Sequence, residues 1–423
     1  MGSDLTAKKA RKSEILLLCL FALLFFAIPI EHKYDKLFRF YSLTLVPDGL
    51  TLPLHFDKKI YFYPSDLIAL ILLGWGPCKL RRGTIFLLLI FALAAVSTML
   101  SPLAHYPLAY IRFWQLLTPF VLFSTLANCT LSKERLFRVI SWAFVAAGSL
   151  QAVLATWQYM AQHSLGLRLF NEQPLNSVFG TGGVLLFRGM GTLPHPNVLG
   201  GFLTVSLLFS GYLFLKHPRW RIGLGALYAL QLYALGVTFC RSALFAYLLA
   251  TLVWFLWVYF RQGLFMRSFA LLFTLSISLA TLLLHEPYLQ RGGVVQYDQG
   301  RLDYQQVALG TIQKNPWIGV GYGQYELALH SIPVHNIYLL TATEIGLAAL
   351  LVLLLWIGTL LFRAYQTISM ETGLLFAAFL AFLFIGCCDF YPILFQQGKL
   401  LFFGIAGLLV RLSYPNDSTH PSY

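Results

Sequence analysis

The sequence predicts an all-α polytopic membrane protein of about twelve transmembrane helices. Three observations lead there. Of 423 residues, 58% are hydrophobic and 11% charged, whereas an ordinary soluble domain carries about 25% charged residues. The apolar residues gather in runs close to the roughly 20 residues that cross about 30 Å of hydrocarbon. The loops between the runs alternate between basic and non-basic. A soluble chain of this length has too little interior for so much apolar surface, so lipid is the solvent.

The predicted spans are 14–30, 64–79, 84–101, 107–128, 136–160, 196–215, 221–236, 238–260, 266–284, 336–362, 370–388 and 393–412. The first follows Lys8, Lys9, Arg11 and Lys12 and is followed by Glu31, His32 and Lys33 rather than a small-residue cleavage site. It therefore reads as a retained signal anchor. The stretch 37–63 is interrupted by Pro47, Asp48, Gly49, Pro53 and Asp57 and reads as an outer loop or a shallow re-entrant segment. Residues 1–423 read as one transmembrane domain, with a large loop at 285–335 inserted between spans 9 and 10.

Charge sets the orientation. With the N-terminus inside, 17 of the 30 lysines and arginines fall on inner segments, among them Lys79, Arg81, Arg82, Lys133, Arg135, Arg138, Lys216, Arg219 and Arg221. Every inner loop is then basic, as the positive-inside rule requires. The net charge of +13 thus reports topology, and no aromatic-rich basic face or nucleic-acid module accompanies it. None of the six cysteines shows CxxC spacing, so they read as small core residues rather than a metal or redox site.

Two outer segments, 161–195 and 285–335, are too long for simple turns, and long loops are often functional. In the second, Tyr304, Val307, Ala308, Thr311 and Ile312 follow the stripe of an amphipathic helix that Asn315-Pro316 ends. Gly319, Gly321 and Gly323 then predict a flexible turn. As a nucleotide loop this GxGxG is weak, since no strand precedes it.

Ionisable residues at span mouths are site candidates. Arg188 opens a shaped turn that runs through His195 and Asn197 to span 6. Arg241 begins span 8 within Cys240-Arg241-Ser242-Ala243, where small neighbours leave room for a ligand. Arg301 and Asp303 open the outer helix. His335 stands beside Asn336 at the mouth of span 10, with Glu344 deeper in that span and Asp389 ending span 11. Guanidinium groups bind oxyanions through a bidentate fork and suit phosphate or pyrophosphate. A histidine titrating near neutrality suits proton abstraction. The bland alternatives stay open: Arg241 as a snorkelling anchor, Arg301–Asp303 as a solubilising pair, and Glu344 or Asp389 as a structural partner of an arginine.

Taken together, Arg188-Gly-Met-Gly-Thr with Pro196-Asn197, then Cys240-Arg241-Ser242-Ala243, Arg301 through Asn315-Pro316-Trp-Ile-Gly319-Val-Gly321, and His335-Asn336-Ile-Tyr338 with Glu344-Ile-Gly346-Leu347 resemble the bacterial O-antigen ligase and O-antigen polymerase superfamily. The resemblance extends to the span pattern, with its large periplasmic loop. It implies a glycosyltransferase of the inner membrane; direct displacement would make it inverting, and with no Asp/Glu/His cluster of metal-ligand spacing on the outer face no metal or cofactor is expected. The donor would be a glycan on undecaprenyl diphosphate and the acceptor the lipid A core of lipopolysaccharide or another hydroxyl. It implies His335 as catalytic base and Arg188, Arg241 and Arg301 as substrate-binding residues; His195 and Asn336, their polar neighbours at the span mouths, are read as substrate-binding beside them. A polymerase, a protein O-oligosaccharyltransferase and, from a different class, a lipid-linked glycan transporter remain alternatives. The shorter first outer loop favours a ligase over a polymerase, and the lack of two similar halves speaks against a transporter.

Overall fold

A computed structural model describes residues 2–30, 64–75, 82–104, 107–167, 172–173, 178–181, 184–262, 295–367 and 369–414. The predicted span 266–284, the stretch 37–63 and Cys78 lie outside them. The described helices are α1 (Gly2–Ala27), α2 (Pro64–Trp75), α3 (Arg82–Leu100), α4 (Pro107–Trp114), α5 (Leu117–Asn128), α6 (Lys133–Ala161), α7 (Pro196–Lys216), α8 (Arg221–Val237) and α9 (Arg241–Gln262). They continue with α10 (Val295–Lys314), α11 (Tyr325–Leu329), α12 (Ile337–Ile345), α13 (Leu347–Gln366), α14 (Met370–Cys388), α15 (Tyr391–Leu394) and α16 (Gln396–Ser413). Strands β1 (Val178–Thr181) and β2 (Val184–Phe187) form an antiparallel hairpin with Thr181 opposite Val184.

Six described helices are long and apolar enough to cross a membrane: α3, α6, α7, α9, α13 and α14. The fold is thus that of an all-α membrane protein. Two predicted spans are broken rather than continuous. The run 107–128 divides into α4 and α5 because Pro119 lacks an N–H and its ring collides with the carbonyl four residues back, at Gln115. The run 336–362 divides at Gly346, whose φ of 98° is outside the helical region. The expected separation of 221–236 from 238–260 matches α8 and α9.

Within the expected membrane domain the chain packs as two compact units. The first holds residues 1–32, 129–285 and 368–381; the second holds 33–128, 286–367 and 382–423. In the first unit α1, α6 and α7 meet through aromatic rings. Phe144 lies 5.1 Å from Phe25 and stacks on Phe209 at 4.7 Å. Small residues let the backbones approach, as is usual between membrane helices: Ser206 of α7 donates to the Phe144 carbonyl at 2.9 Å. Gln231 of α8 completes a polar knot by accepting from Ser206 and Ser210 and donating to Ser149. Indole N–H groups of Trp254 and Trp257 on α9 close the unit by donating to the Met370 and Ser369 carbonyls.

In the second unit α5 and α16 pack closely where Gly407 meets Phe123 and Leu126. Trp356 of α13 is fully buried among Phe123, Phe402 and Phe403. The amphipathic helix expected in the long loop is α10, and it ends at Lys314 just before Asn315-Pro316. Its buried stripe is narrower than expected. Ala308 and Thr311 are buried, but Val307 is 39% exposed.

Candidate functional site

The candidate residues fall in both units. Arg188, His195 and Arg241 belong to the first; Arg301, His335 and Asn336 belong to the second.

In the first unit, the turn from Arg188 to Asn197 is bolted to α6 by two glutamines. Gln158 accepts from the N–H groups of Met190 and Gly191 and donates to the Gly191 carbonyl and to Glu172. Gln151 accepts from the Thr192 N–H and donates to its hydroxyl. Glycine is required at 189 by close approach: a Cβ there would sit 2.6 Å from the Ala155 carbonyl oxygen. Arg188 is buried, and its guanidinium already serves the protein. Nε donates to the Thr238 carbonyl at 2.6 Å and Nη2 donates to Asn197 Oδ1 at 2.8 Å. The expected anion clamp is therefore first a strut across the turn. His195 is the N-cap of α7, its Nδ1 accepting from the Asn197 N–H at 3.1 Å, with Pro196 at the first helical position. Arg241 is exposed at the start of α9 and forms no ion pair with another described residue.

In the second unit, His335 is held between two aromatic rings. Phe390 lies 4.7 Å from it, tilted, and Tyr304 of α10 lies 6.1 Å away, nearly parallel. One turn before Tyr304 along α10 stands Arg301. Two polar atoms here, His335 Nδ1 and Arg301 Nε, are buried without a hydrogen-bond partner. Such orphaned atoms are rare in native proteins and mark a candidate functional site. Burial pushes the His335 imidazole below its ordinary value of 6.5, and Arg301 pushes the same way, while Asp389 opposes them.

Asp389 was legible in the sequence as a carboxylate ending a span, with an arginine as its alternative partner. In the structure its Oδ1 accepts from the N–H groups of Phe390 and Tyr391 just before α15, and its charge acts on His335. Asn336, expected to bind substrate, caps α12: Oδ1 accepts from the N–H groups of Tyr338 and Leu339, and Nδ2 donates to the Cys387 carbonyl at 3.2 Å. It thereby fixes the backbone next to His335.

The glycine turn after α10 is pinned rather than flexible. Gly319, Gly321 and Gly323 take φ of 70°, 109° and 68°. The N–H groups of Val320 and Gly321 donate to the Thr343 and Glu344 carbonyls at 3.0 and 2.9 Å. Those carbonyls are available because α12 stops at Gly346, and the Leu347 N–H donates to the Pro316 carbonyl instead. Arg112 of α4 completes the anchoring, donating to the Gly323 carbonyl and pairing with Glu326 at 3.3 Å. Glu344 is held mainly by backbone, its carboxylate accepting from the Tyr325 N–H at 3.3 Å and from Gly323, with the charge of Arg112 acting on it as well. Among the described residues no three His, Cys, Asp or Glu side chains gather as metal ligands. Of the described cysteines, Cys129 and Cys240 are buried but Cys19 and Cys387 are exposed.

No curated protein matches the chain. Residues 226–354 match the family model described as O-antigen ligase, a segment that includes Arg241, Arg301, His335, Asn336 and Glu344 and leaves out Arg188 and His195. The match covers under a third of the chain and supports membership of the O-antigen ligase superfamily.

Proposed function

We propose that the protein is a membrane glycosyltransferase that moves a glycan from undecaprenyl diphosphate to an acceptor hydroxyl, the lipid A core of lipopolysaccharide. It works in the bacterial inner membrane, with its N-terminus in the cytoplasm and His335 on the periplasmic side. The observation that carries this reading is the His335 imidazole, kept neutral by burial, beside Asp389 and the buried, unpartnered Nε of Arg301. A neutral imidazole is the form that accepts a proton.

In the reaction the acceptor hydroxyl gives its proton to His335 as its oxygen bonds to the anomeric carbon. The bond from that carbon to the diphosphate oxygen breaks, and undecaprenyl diphosphate departs with the electron pair. Direct displacement inverts the anomeric centre. Fixed guanidinium groups stabilise the charge that develops on the leaving diphosphate. Arg301 supplies this in the second unit, and Arg241, exposed at the start of α9 in the first, is assigned to substrate binding on the family resemblance. Arginine supplies that charge without a metal. Arg188 and His195 support the reaction by shaping the turn that they hold.

The glycan profile of a strain lacking the gene tests the reading. A ligase leaves polymerised glycan on undecaprenyl diphosphate and bare lipid A core. Core capped with single repeats would instead identify a polymerase, and unaltered lipopolysaccharide would point to a protein acceptor.

A further inference from the structure

We propose that Glu344 is a positioning residue, whose carboxylate sets the geometry of His335 by clamping the backbone of the 319–329 strap. This rests on the reading of His335 as the base. The clamp is direct. Glu344 Oε1 accepts from the Tyr325 N–H at 3.3 Å, and the same carboxylate accepts from Gly323. Its main chain is fastened as well, the carbonyl accepting from the Gly321 N–H at 2.9 Å and from the Ser97 hydroxyl at 2.7 Å. Glu344 thus holds the strap at three consecutive alternate residues.

What the strap carries is Tyr325. Its side chain is 1% exposed and packs in one cluster with Ala308, Val334 and Leu340, against which Phe390 also lies. Each of these belongs to a segment that builds the site. Ala308 is on α10 with Arg301 and Tyr304, Val334 immediately precedes His335, and Phe390 touches the His335 ring. The Tyr325 hydroxyl also reaches the Tyr304 carbonyl, at 3.5 Å. One buried side chain therefore meets all three segments, and its backbone is fixed by Glu344. A carboxylate buried at 4% exposure would be costly without partners. Two backbone donors answer that cost, and no reacting group is needed to explain it.

The test uses the purified full-length protein with lipid-linked glycan donor and lipid A core acceptor. Glu344→Ala should lower kcat by roughly 10²-fold, the effect of a misplacement on the order of 1 Å, with KM for the donor little changed. Amide exchange at Gly323 and Tyr325 should speed up in the same variant. Glu344→Gln keeps a carbonyl oxygen that accepts the Tyr325 N–H and should retain at least half the rate. Glu344→Asp, one methylene shorter, should fall at least tenfold, which decides the matter if the alanine variant does not fold. Glu344→Gln as inactive as Glu344→Ala, with exchange unchanged, would overturn the proposal and make the carboxylate a reacting group. Wild-type kcat in both Glu344→Ala and Glu344→Asp would overturn it too. Failure of the transferase reading shows separately, as absence of transfer by the wild-type protein, and the exchange measurement still decides whether the clamp exists.

Discussion

Arg188→Lys should unfold the first unit more easily, although the charge is kept. The guanidinium spans two acceptors, the Thr238 carbonyl and Asn197 Oδ1, at 2.6 and 2.8 Å. A lysine ammonium has no planar fork and satisfies at most one of them in that geometry. Hydrogen bonds from charged groups contribute about 1.5–3 kcal/mol, and a buried acceptor left unpaired costs about 1–3 kcal/mol. These overlap, so the loss comes to about 2–4 kcal/mol rather than their sum. For a unit of this size that lowers the melting midpoint by about 4–16 °C. Thermal unfolding of the detergent-purified protein, followed by monodispersity on size exclusion, measures it. Asn197→Ala should destabilise less, and the double variant should cost less than the two singles together, because both lose one bond. A lysine variant that melts with the wild type yet transfers no glycan would refute the strut and restore the anion clamp.

Three further outcomes follow from the second unit. His335 has its folded value below its ordinary 6.5, so its neutral form is fully present above that pH and is lost as pH falls through the folded value. The acid limb of the transfer rate should therefore lie below 6.5. Arg301→Gln should move the limb of the residual activity up, and Asp389→Asn should move it down, since the two charges act in opposite directions; displacement in one direction by both would contradict the assignment. Gly346→Ala should destabilise by about 2–5 kcal/mol, combining positive φ with a clash of the new Cβ against the Trp317 carbonyl, and a melting midpoint within 1 °C of wild type would count against the pinned strap. In a cysteine-free background, Asp303→Cys on the exposed face of α10 should react with a membrane-impermeant maleimide from the periplasmic side, and labelling only after disruption of the inner membrane would reverse the orientation.

What was legible in the sequence was whatever local physics governs. Apolar runs marked α3, α6, α7, α9 and α14, and the stripe around Ala308 marked α10 with its stop at Asn315-Pro316. The breaks were harder to see. Pro119 lies within an unbroken apolar run, and hydropathy alone does not register its effect on the turn before it. Gly346 breaks its run because the strap takes the carbonyls and N–H groups around it, a long-range partnership that no local pattern encodes. The β1–β2 hairpin was missed although Gly182-Gly183 between two β-prone runs is a turn signal. The candidate residues were found because polar groups at span mouths are conspicuous, but their roles depended on partners. His195 and Asn336 stand directly before helices, and capping was their nearest use. The pairing of Arg188 with Thr238, 50 residues away, and of Glu344 with the strap required the fold.

If His335 takes the acceptor proton, His335→Ala should lose transfer in a purified assay. The protein, in detergent with lipid-linked glycan donor and lipid A core acceptor, is compared with the wild type for transfer and for donor binding. The variant should purify normally, bind the donor with unchanged Kd and transfer nothing measurable. Transfer by His335→Ala at the wild-type rate would contradict His335 as the base.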